Sequence, residues 1–576
     1  MLPIIENLDK MIMYALKTGR IAAIAFTIVM TIAGGESPVF AQKKKSKKQL
    51  KTEASAKEET LTRLQNDVYV LASDSLEGRR TGTEGERKAV AYIISQYQHA
   101  GISFLPSLGA YDQPFSIDEG KLPANDAYFR LSDKSMVWGE DYFTPAFSAA
   151  QKLSGSSAVA ILESNSPWWI NITDSVVMNA NNPHFLWDGW LRATAEQAAK
   201  KGATAVVLFV TQGQMPFGFN PKDRSPQLNI PVWILTPAGS QKAGINMEAA
   251  PYIDGMVAFA PKTRTGHNVI AWIDNKAPLT VVLGAHLDHL GYGEDENSRH
   301  TGGPAIHNGA DDNASGTASL LELARQLKSN GNKGYNYLFT HFSGEELGLF
   351  GSKYVADHLP SEAGTISYMM NMDMVGRLDK ANPTLTIGGL GTSPAWGTVI
   401  PTAAQTALTY KIDSSGTGPS DHTSFYRKDI PVLFFFTGLH TDYHKPSDDA
   451  NLINYEGMAT VVDLLQTIIN NSEGQGKLVF AKTREQAMGT SRFKVSLGIM
   501  PDYTFSGTGV RADGVIDNRP GQKAGMQTGD VILQLGDFLI TGMDTYMEAL
   551  SRFNKGDKTM ITVKRGNDMK EMPIEF

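Results

Sequence analysis

The chain has 576 residues, more than one hydrophobic core serves, and its 41% apolar and 20% charged make-up is that of ordinary globular protein. A net charge of −7 offers no basic surplus for a nucleic-acid partner. The absence of cysteine excludes disulfides, thiolate zinc sites and a thiol nucleophile.

In chain order, the first feature is a leader. Lys17 and Arg20 precede "IAAIAFTIVMTIAGG", and small residues, Val39 and Ala41, stand before Gln42. That pattern is expected to be a secretory signal over residues 1–41, with an uncleaved anchor as the alternative. The apolar run is short against the ~20 residues a membrane span needs, so no stable span is expected in the mature chain. Residues 42–59, rich in Lys, Glu and Ser, are expected to form a disordered tether. Two amphipathic helix patterns follow, "TLTRLQNDVYVLAS" and "EGERKAVAYIISQYQHAG", joined by the turn-rich "LEGRRTGT".

From 125 to 265 the texture is short β-rich runs with one helical stretch, "WLRATAEQAAKKGA", and no cluster of His and acids. It is expected to be an inserted binding or lid module. Residues 266–471 alternate short apolar runs with helix patterns, which predicts an α/β domain around a mostly parallel central sheet. The helix pattern "ASGTASLLELARQLKSN" has Asn313 or Ser315 available as its cap. Residues 472–489 are expected to be a linker. The remainder, 490–576, is expected to be a small domain of short strands, Gly-rich turns and one helix.

The chemistry concentrates in the α/β domain, where nine of the 12 histidines lie between 286 and 444. Ligands of open α/β sheets bind beyond the carboxyl ends of the strands. Here predicted strands run out into His286 and Asp288, into Glu345 and Glu346, into Asp373, and into His440 and His444. Asp311 and Asp312 precede a helix. Grouping so many acids is costly unless cations balance them, and an N/O donor set without sulfur suits zinc, with cobalt or manganese as substitutes.

Together "GAHLDHLG", "NGADDNASG", "FSGEELGLFGS", "NMDMVGR", "SDHTSF" and "YHKPSDDA" resemble the co-catalytic zinc aminopeptidases. That family also includes glutamate carboxypeptidase II and the glutaminyl cyclases. The resemblance spans 266–471 and the helical lead-in from 60, and implies two zinc ions per chain. It assigns His286 and Asp373 to one ion, Glu346 and His444 to the other, and Asp311 to both, with a cis Asp311–Asp312 bond. It makes Glu345 the general base, Asp288 the carboxylate that orients His286, and Tyr443 a stabiliser of the oxyanion. His422 matches a position on the substrate side of the site. His289, His307 and His440 are expected to line the entrance or pack locally.

The insert resembles a protease-associated domain, from its position and "ATAVVLFV…NIPVWILT". The C-terminal segment resembles a PDZ domain, with Leu497, Gly498 and Ile499 in its carboxylate-binding loop. The reading these imply is a secreted or periplasmic metallo-aminopeptidase acting on peptides, with a C-terminal peptide as a possible occupant of the PDZ groove. Two alternatives stay open: carboxypeptidase or cyclase chemistry on the same scaffold, and a non-catalytic binding protein.

Overall fold

"LTVVLGAH" is apolar at nearly every position because both faces of its strand are covered; every residue from Thr280 to His286 is buried. It is one of eight strands in the central sheet of the computed structural model, which describes residues 47–156, 162–180, 185, 187–221, 223, 227–245, 251–295, 297–483, 495–501, 508–515, 518–540 and 542–576. The expected leader, residues 1–41, lies outside them.

The first helices are α1 (Lys47–Leu71) and α2 (Glu84–His99). The expected tether is corrected here, since residues 47–59 are the first turns of α1. Lys, Glu, Ala and Leu are all good helix formers, and a charge-rich composition does not oppose a helix. Leu64, Val68 and Leu71 of α1 pack with Ala89 and Ile93 of α2 in the main core. Among the described residues no helix is long and apolar enough to cross a membrane.

Strand β1 (Asp112–Pro123) enters the sheet before the insert, and β2 (Phe259–Ile273) re-enters it after. There follow β3 (Leu279–His286), α3 (Gly316–Ser329), β4 (Asn336–Phe342), α4 (Phe350–Asp357) and β5 (Thr365–Met372). Then come β6 (Thr384–Gly388), β7 (Thr409–Ile412), α5 (His422–Tyr426), β8 (Val432–Phe436) and α6 (Tyr455–Ser472). The spatial order is β1-β2-β4-β3-β5-β8-β6-β7. The four central strands β4, β3, β5 and β8 are parallel throughout. Their carboxyl ends therefore share one edge of the sheet, which is where the site lies.

Residues 259–265, grouped with the insert by sequence, are the first half of β2 and pair with β1. The stretch "APKTRTG" lacks the unbroken apolar run of a core strand because only one side of this outer hairpin is covered. The insert has two four-stranded sheets. One is antiparallel and contains Tyr128–Leu131 and Tyr252–Met256. The other pairs Pro167–Asn171, Ala205–Phe209 and Val232–Leu235 in parallel. Trp233 stacks on Phe129 with ring centroids 4.8 Å apart and joins the two sheets through a shared apolar core.

The expected linker is also corrected in part. After α6, Leu478 is buried in the main core, Phe480 meets the Tyr426 ring, and the Thr483 amide donates to the Tyr426 hydroxyl. Residues 473–483 are thus packed on the catalytic domain; 484–489 lie outside the described residues. The C-terminal domain has β9 (Ile499–Pro501), β10 (Val510–Val515), β11 (Val531–Leu535), α7 (Met543–Ser551), β12 (Lys558–Arg565) and β13 (Asp568–Glu575). Its sheet order is β9-β10-β11-β12-β13, around a core of its own.

Candidate metal centre and active site

Two histidines face the centre in the same way. His286, the last residue of β3, has Nδ1 3.1 Å from the Asp288 backbone carbonyl. His444, on a loop after β8, has Nδ1 2.8 Å from the Asn297 carbonyl. A carbonyl can only accept, so each Nδ1 carries the proton and each Nε2 is left as the free donor atom.

His286 Nε2 lies 3.3 Å from Asp312 Oδ1 and 3.3 Å from Asp373 Oδ1. His444 Nε2 lies 3.2 Å from Asp312 Oδ2 and 3.2 Å from Glu346 Oε2. One carboxylate, Asp312, thus offers one oxygen to each group. Zinc–N and zinc–O bonds of ~2.0–2.1 Å at tetrahedral angles put ligand atoms ~3.3–3.4 Å apart. The observed spacings match, so these residues fit two divalent ions that share Asp312.

This corrects the expected bridge. Asp311 points away: its Oδ1 accepts the Gly376 amide at 2.6 Å, and its Oδ2 lies 3.2 Å from His440 Nε2. The cis peptide bond is Asp312–Asn313, not Asp311–Asp312. In this turn Asp311 and Asp312 leave the backbone on different sides, and only Asp312 faces the centre. Asp448 fixes which one, its Oδ2 accepting the amides of both Asp311 and Asp312 at 2.8 and 3.1 Å. Gly309 is required at the start of this turn. Its φ is +56°, and a Cβ there would stand 2.1 Å from the Asp312 carbonyl oxygen. Asn313 then caps α3, its Oδ1 accepting the Gly316 amide.

Asp288 is also revised. Its carboxylate is 3.8 Å from His286 Nδ1, beyond hydrogen-bond range, and its backbone carbonyl orients the ring instead. The carboxylate accepts the Thr81 hydroxyl at 2.9 Å and the Glu345 amide at 3.2 Å. Asp288 is therefore a positioning residue for both His286 and Glu345, and it does not line the pocket.

His289 is buried at the centre, not at the entrance; its Nδ1 is 2.8 Å from Glu346 Oε1 and 3.9 Å from Asp312 Oδ2. The shorter distance is that of a hydrogen bond, so His289 holds Glu346 while His444 offers the better-spaced donor. His307 packs locally, with Nε2 2.7 Å from the Ser298 hydroxyl. His440 meets Asp311. Sequence reasoning missed Ser420, which donates to Asp373 Oδ2 at 2.7 Å, and Asp421, which is fully buried next to it in the chain. Both sit in "SDHTSF", beside the histidine that drew attention.

Arg79 was missed as well. It is 1% exposed and donates only to carbonyls: Leu287 at 2.9 Å, Leu71 at 2.5 Å, Asn308 at 2.7 Å and Gly309 at 3.0 Å. It ties the β3 end, α1 and the Asp312 turn together. Burial lowers its pKa to about 10, against the nearby charges of Asp312, Asp288 and Asp448.

The electrostatics call for cations. Burial raises the Glu345 carboxyl well above the usual range, and Glu346, Asp421 and Asp373 add to this against the opposing His286. Burial disfavours a charged His444, yet Glu346 and Asp312 outweigh it and push it up to about 10. His286 is likewise raised, its burial outweighed chiefly by Asp373 and Glu345. Without metal, the histidines hold protons at neutral pH that a metal must displace. Zinc affinity is therefore expected to fall as pH falls from 8 to 6, by about tenfold per unit for each proton displaced. Chelator competition across that range checks it; a flat profile would contradict the assignment of His444.

Beside the centre lies a cavity of about 210 Å³. Glu345 and Tyr443 are in its wall, and Met374, Phe434, Phe436 and Leu439 make an apolar side. His422 lines it too, stacked on Phe434 with centroids 4.6 Å apart, and burial lowers it to about 3, so it is neutral. The Arg299 guanidinium lies over the Tyr443 ring, 4.3 Å from its centroid. Pro501, at the end of β9 in the C-terminal domain, forms part of the same wall.

A mostly parallel sheet with paired His/carboxylate groups at its carboxyl edge defines an α/β protein with a candidate two-metal centre. Residues 268–469 match peptidase family M28 and residues 487–576 match a PDZ domain, so the chain carries an M28 peptidase domain followed by a PDZ domain. Leupeptin-inactivating enzyme 1 of Streptomyces exfoliatus is 32% identical over 219 residues, 35% of this chain and 43% of that protein. Aminopeptidase YwaD of Bacillus subtilis is 32% identical over 169 residues, 28% of this chain and 37% of that protein. The chain thus spans less than half the length of either relative. Uncharacterized protein YfbL of Escherichia coli is 27% identical over 320 residues, 50% of this chain and 93% of that protein. Among solved structures, the Bacillus subtilis zinc aminopeptidase BSAP aligns with TM-score 0.40 and 20% identity over 74% of this chain and 96% of that one.

Proposed function

We propose that the protein is a metal-dependent aminopeptidase that removes N-terminal residues from peptides, using two zinc ions held by His286, Asp373, Glu346, His444 and the shared Asp312. The observation that carries the reading is the pairing of donors across Asp312 with Glu345 in the wall of the adjoining cavity. The M28 match and the aminopeptidase named among the relatives support it. Two bound ions supply Lewis acidity to a water and to the substrate carbonyl. Glu345 takes the proton of the attacking water on its carboxylate and passes it to the leaving amine. Asp288 holds the Glu345 backbone in place, and the Tyr443 hydroxyl faces the carbonyl oxygen as it gains charge. The apolar side of the cavity favours an apolar first side chain. The insert is read as a protease-associated domain from its place between β1 and β2, and the leader as a secretory signal.

The test is a screen of the zinc-loaded enzyme on aminoacyl amides and peptides with free or acetylated N-termini. Free N-termini with Leu, Met or Phe first are expected to be cleaved at least about tenfold better than acetylated ones, the scale of one charge-assisted interaction. Equal cleavage of blocked substrates, or release from the C-terminus, would replace the reading with another exopeptidase chemistry. Release of ammonia from N-terminal glutamine would indicate cyclase chemistry.

A further inference from the structure

The PDZ domain contributes a residue to the wall of the catalytic cavity, and the direction of its edge strand gives that contact a consequence. Among the described residues β9 is the outermost strand of its sheet and pairs with β10 alone. Among the described residues its other edge is unpaired, and an edge of that kind can take an added strand. The loop at its start contains Leu497 and Gly498. Gly498 has φ +72°, and a Cβ there would stand 2.1 Å from the Arg519 Cβ, so the stem of a cationic side chain lies directly on the loop. At its other end the described part of β9 reaches Pro501, which has no N–H to donate and lines the same cavity as Glu345.

A chain end whose carboxylate sits at the start of β9 has only one way to run. Its preceding residues pass along β9 towards Pro501, antiparallel to it. The free N-terminus is then directed at the catalytic cavity. We infer that the PDZ edge and the catalytic cavity bind one short peptide by its two ends, so that the PDZ domain acts as a length gauge for substrates with a free C-terminal carboxylate. At ~3.3 Å per residue, the described part of β9 accounts for about three residues and the cavity for the first one or two. Allowing for the passage between them, the fit is to peptides on the order of five to eight residues. Shorter ones cannot reach both ends, and longer ones gain less because effective concentration falls once the chain exceeds the span.

The inference rests on the aminopeptidase reading for its readout but not for its binding step. The experiment uses the full zinc-loaded chain and peptides of two to twenty residues with a common N-terminal Leu, each as free acid and as C-terminal amide. The expected result is a kcat/KM ratio, acid over amide, that peaks at about tenfold near the matched length and approaches one for dipeptides. About tenfold is the scale of one lost charge-assisted hydrogen bond. Gly498→Val should flatten the peak; if that variant does not fold, the acid and amide series on the natural protein still decides. A ratio near one at every length overturns the inference. So does a ratio that is the same at every length, dipeptides included, since the carboxylate would then be read inside the catalytic cavity. Calorimetric binding of the same peptides should show the same acid preference even if none is cleaved. Cleavage failure with preserved preference therefore counts against the aminopeptidase reading alone, and loss of preference counts against the gauge alone.

Discussion

Asp312→Ala is expected to abolish binding of both metal ions, while Asp311→Ala is expected to retain them. Asp312 places one carboxylate oxygen 3.3 Å from His286 Nε2 and the other 3.2 Å from His444 Nε2. Removing it takes a donor from each group at once, so neither keeps more than two residues. Asp311 instead accepts the Gly376 amide and faces His440. Its loss should loosen the turn and weaken metal by about 10–100-fold, the usual cost of removing a supporting contact around ligands. The activity of Asp312→Ala should fall further, by ~10³-fold or more, a loss of ~4 kcal/mol in transition-state stabilisation. Metal content after gel filtration, with thermal unfolding to confirm that both variants are folded, separates the two residues. If Asp311→Ala loses both ions and Asp312→Ala keeps them, the bridge assigned from this geometry is wrong.

How much of this was legible in the sequence can be judged residue by residue. The parallel core was legible because strands such as "LTVVLGAH" are covered on both faces and read as unbroken apolar runs. That put His286, Glu345, Glu346 and Asp373 at strand ends, and the structure brings them together on one edge. The choice between Asp311 and Asp312 was not legible from two adjacent acids, because it depends on how the turn is held. Asp448 holds it from more than 130 residues away. Arg79 was invisible for a related reason: its partners are backbone carbonyls, which leave no trace in residue type. The helical start of α1 was misread because charge-rich composition marks disorder only when helix propensity is also low. The contact of Pro501 with the cavity could not be read at all, since nothing in a PDZ-like segment tells which neighbour its edge strand will face.

Glu345→Gln is expected to lower kcat by at least ~10²-fold while leaving both metal ions bound, the scale typical of general-base loss. Glu345 and Glu346 are neighbours, yet they face different groups. Glu346 is held by His289 and His444 at 2.8 and 3.2 Å, as a ligand would be. Glu345 has no such partner, lines the cavity, and is fixed through its backbone amide by Asp288. Its acidity follows from the same placement. Burial first, and the charges of Glu346, Asp421 and Asp373 next, raise it well above the usual carboxylate range in the metal-free protein. Two divalent ions nearby favour the ionised form, which is the form that can accept a proton from water. Glutamine preserves shape and can still hydrogen-bond, but it cannot take that proton. KM should therefore change little and kcat should carry the loss. Glu346→Gln is the matched comparison, expected to lower metal content and with it activity. Metal content, kcat and KM measured together on the pair decide the roles. Reversed behaviour, with metal lost from Glu345→Gln and turnover kept in Glu346→Gln, would exchange the ligand and the base.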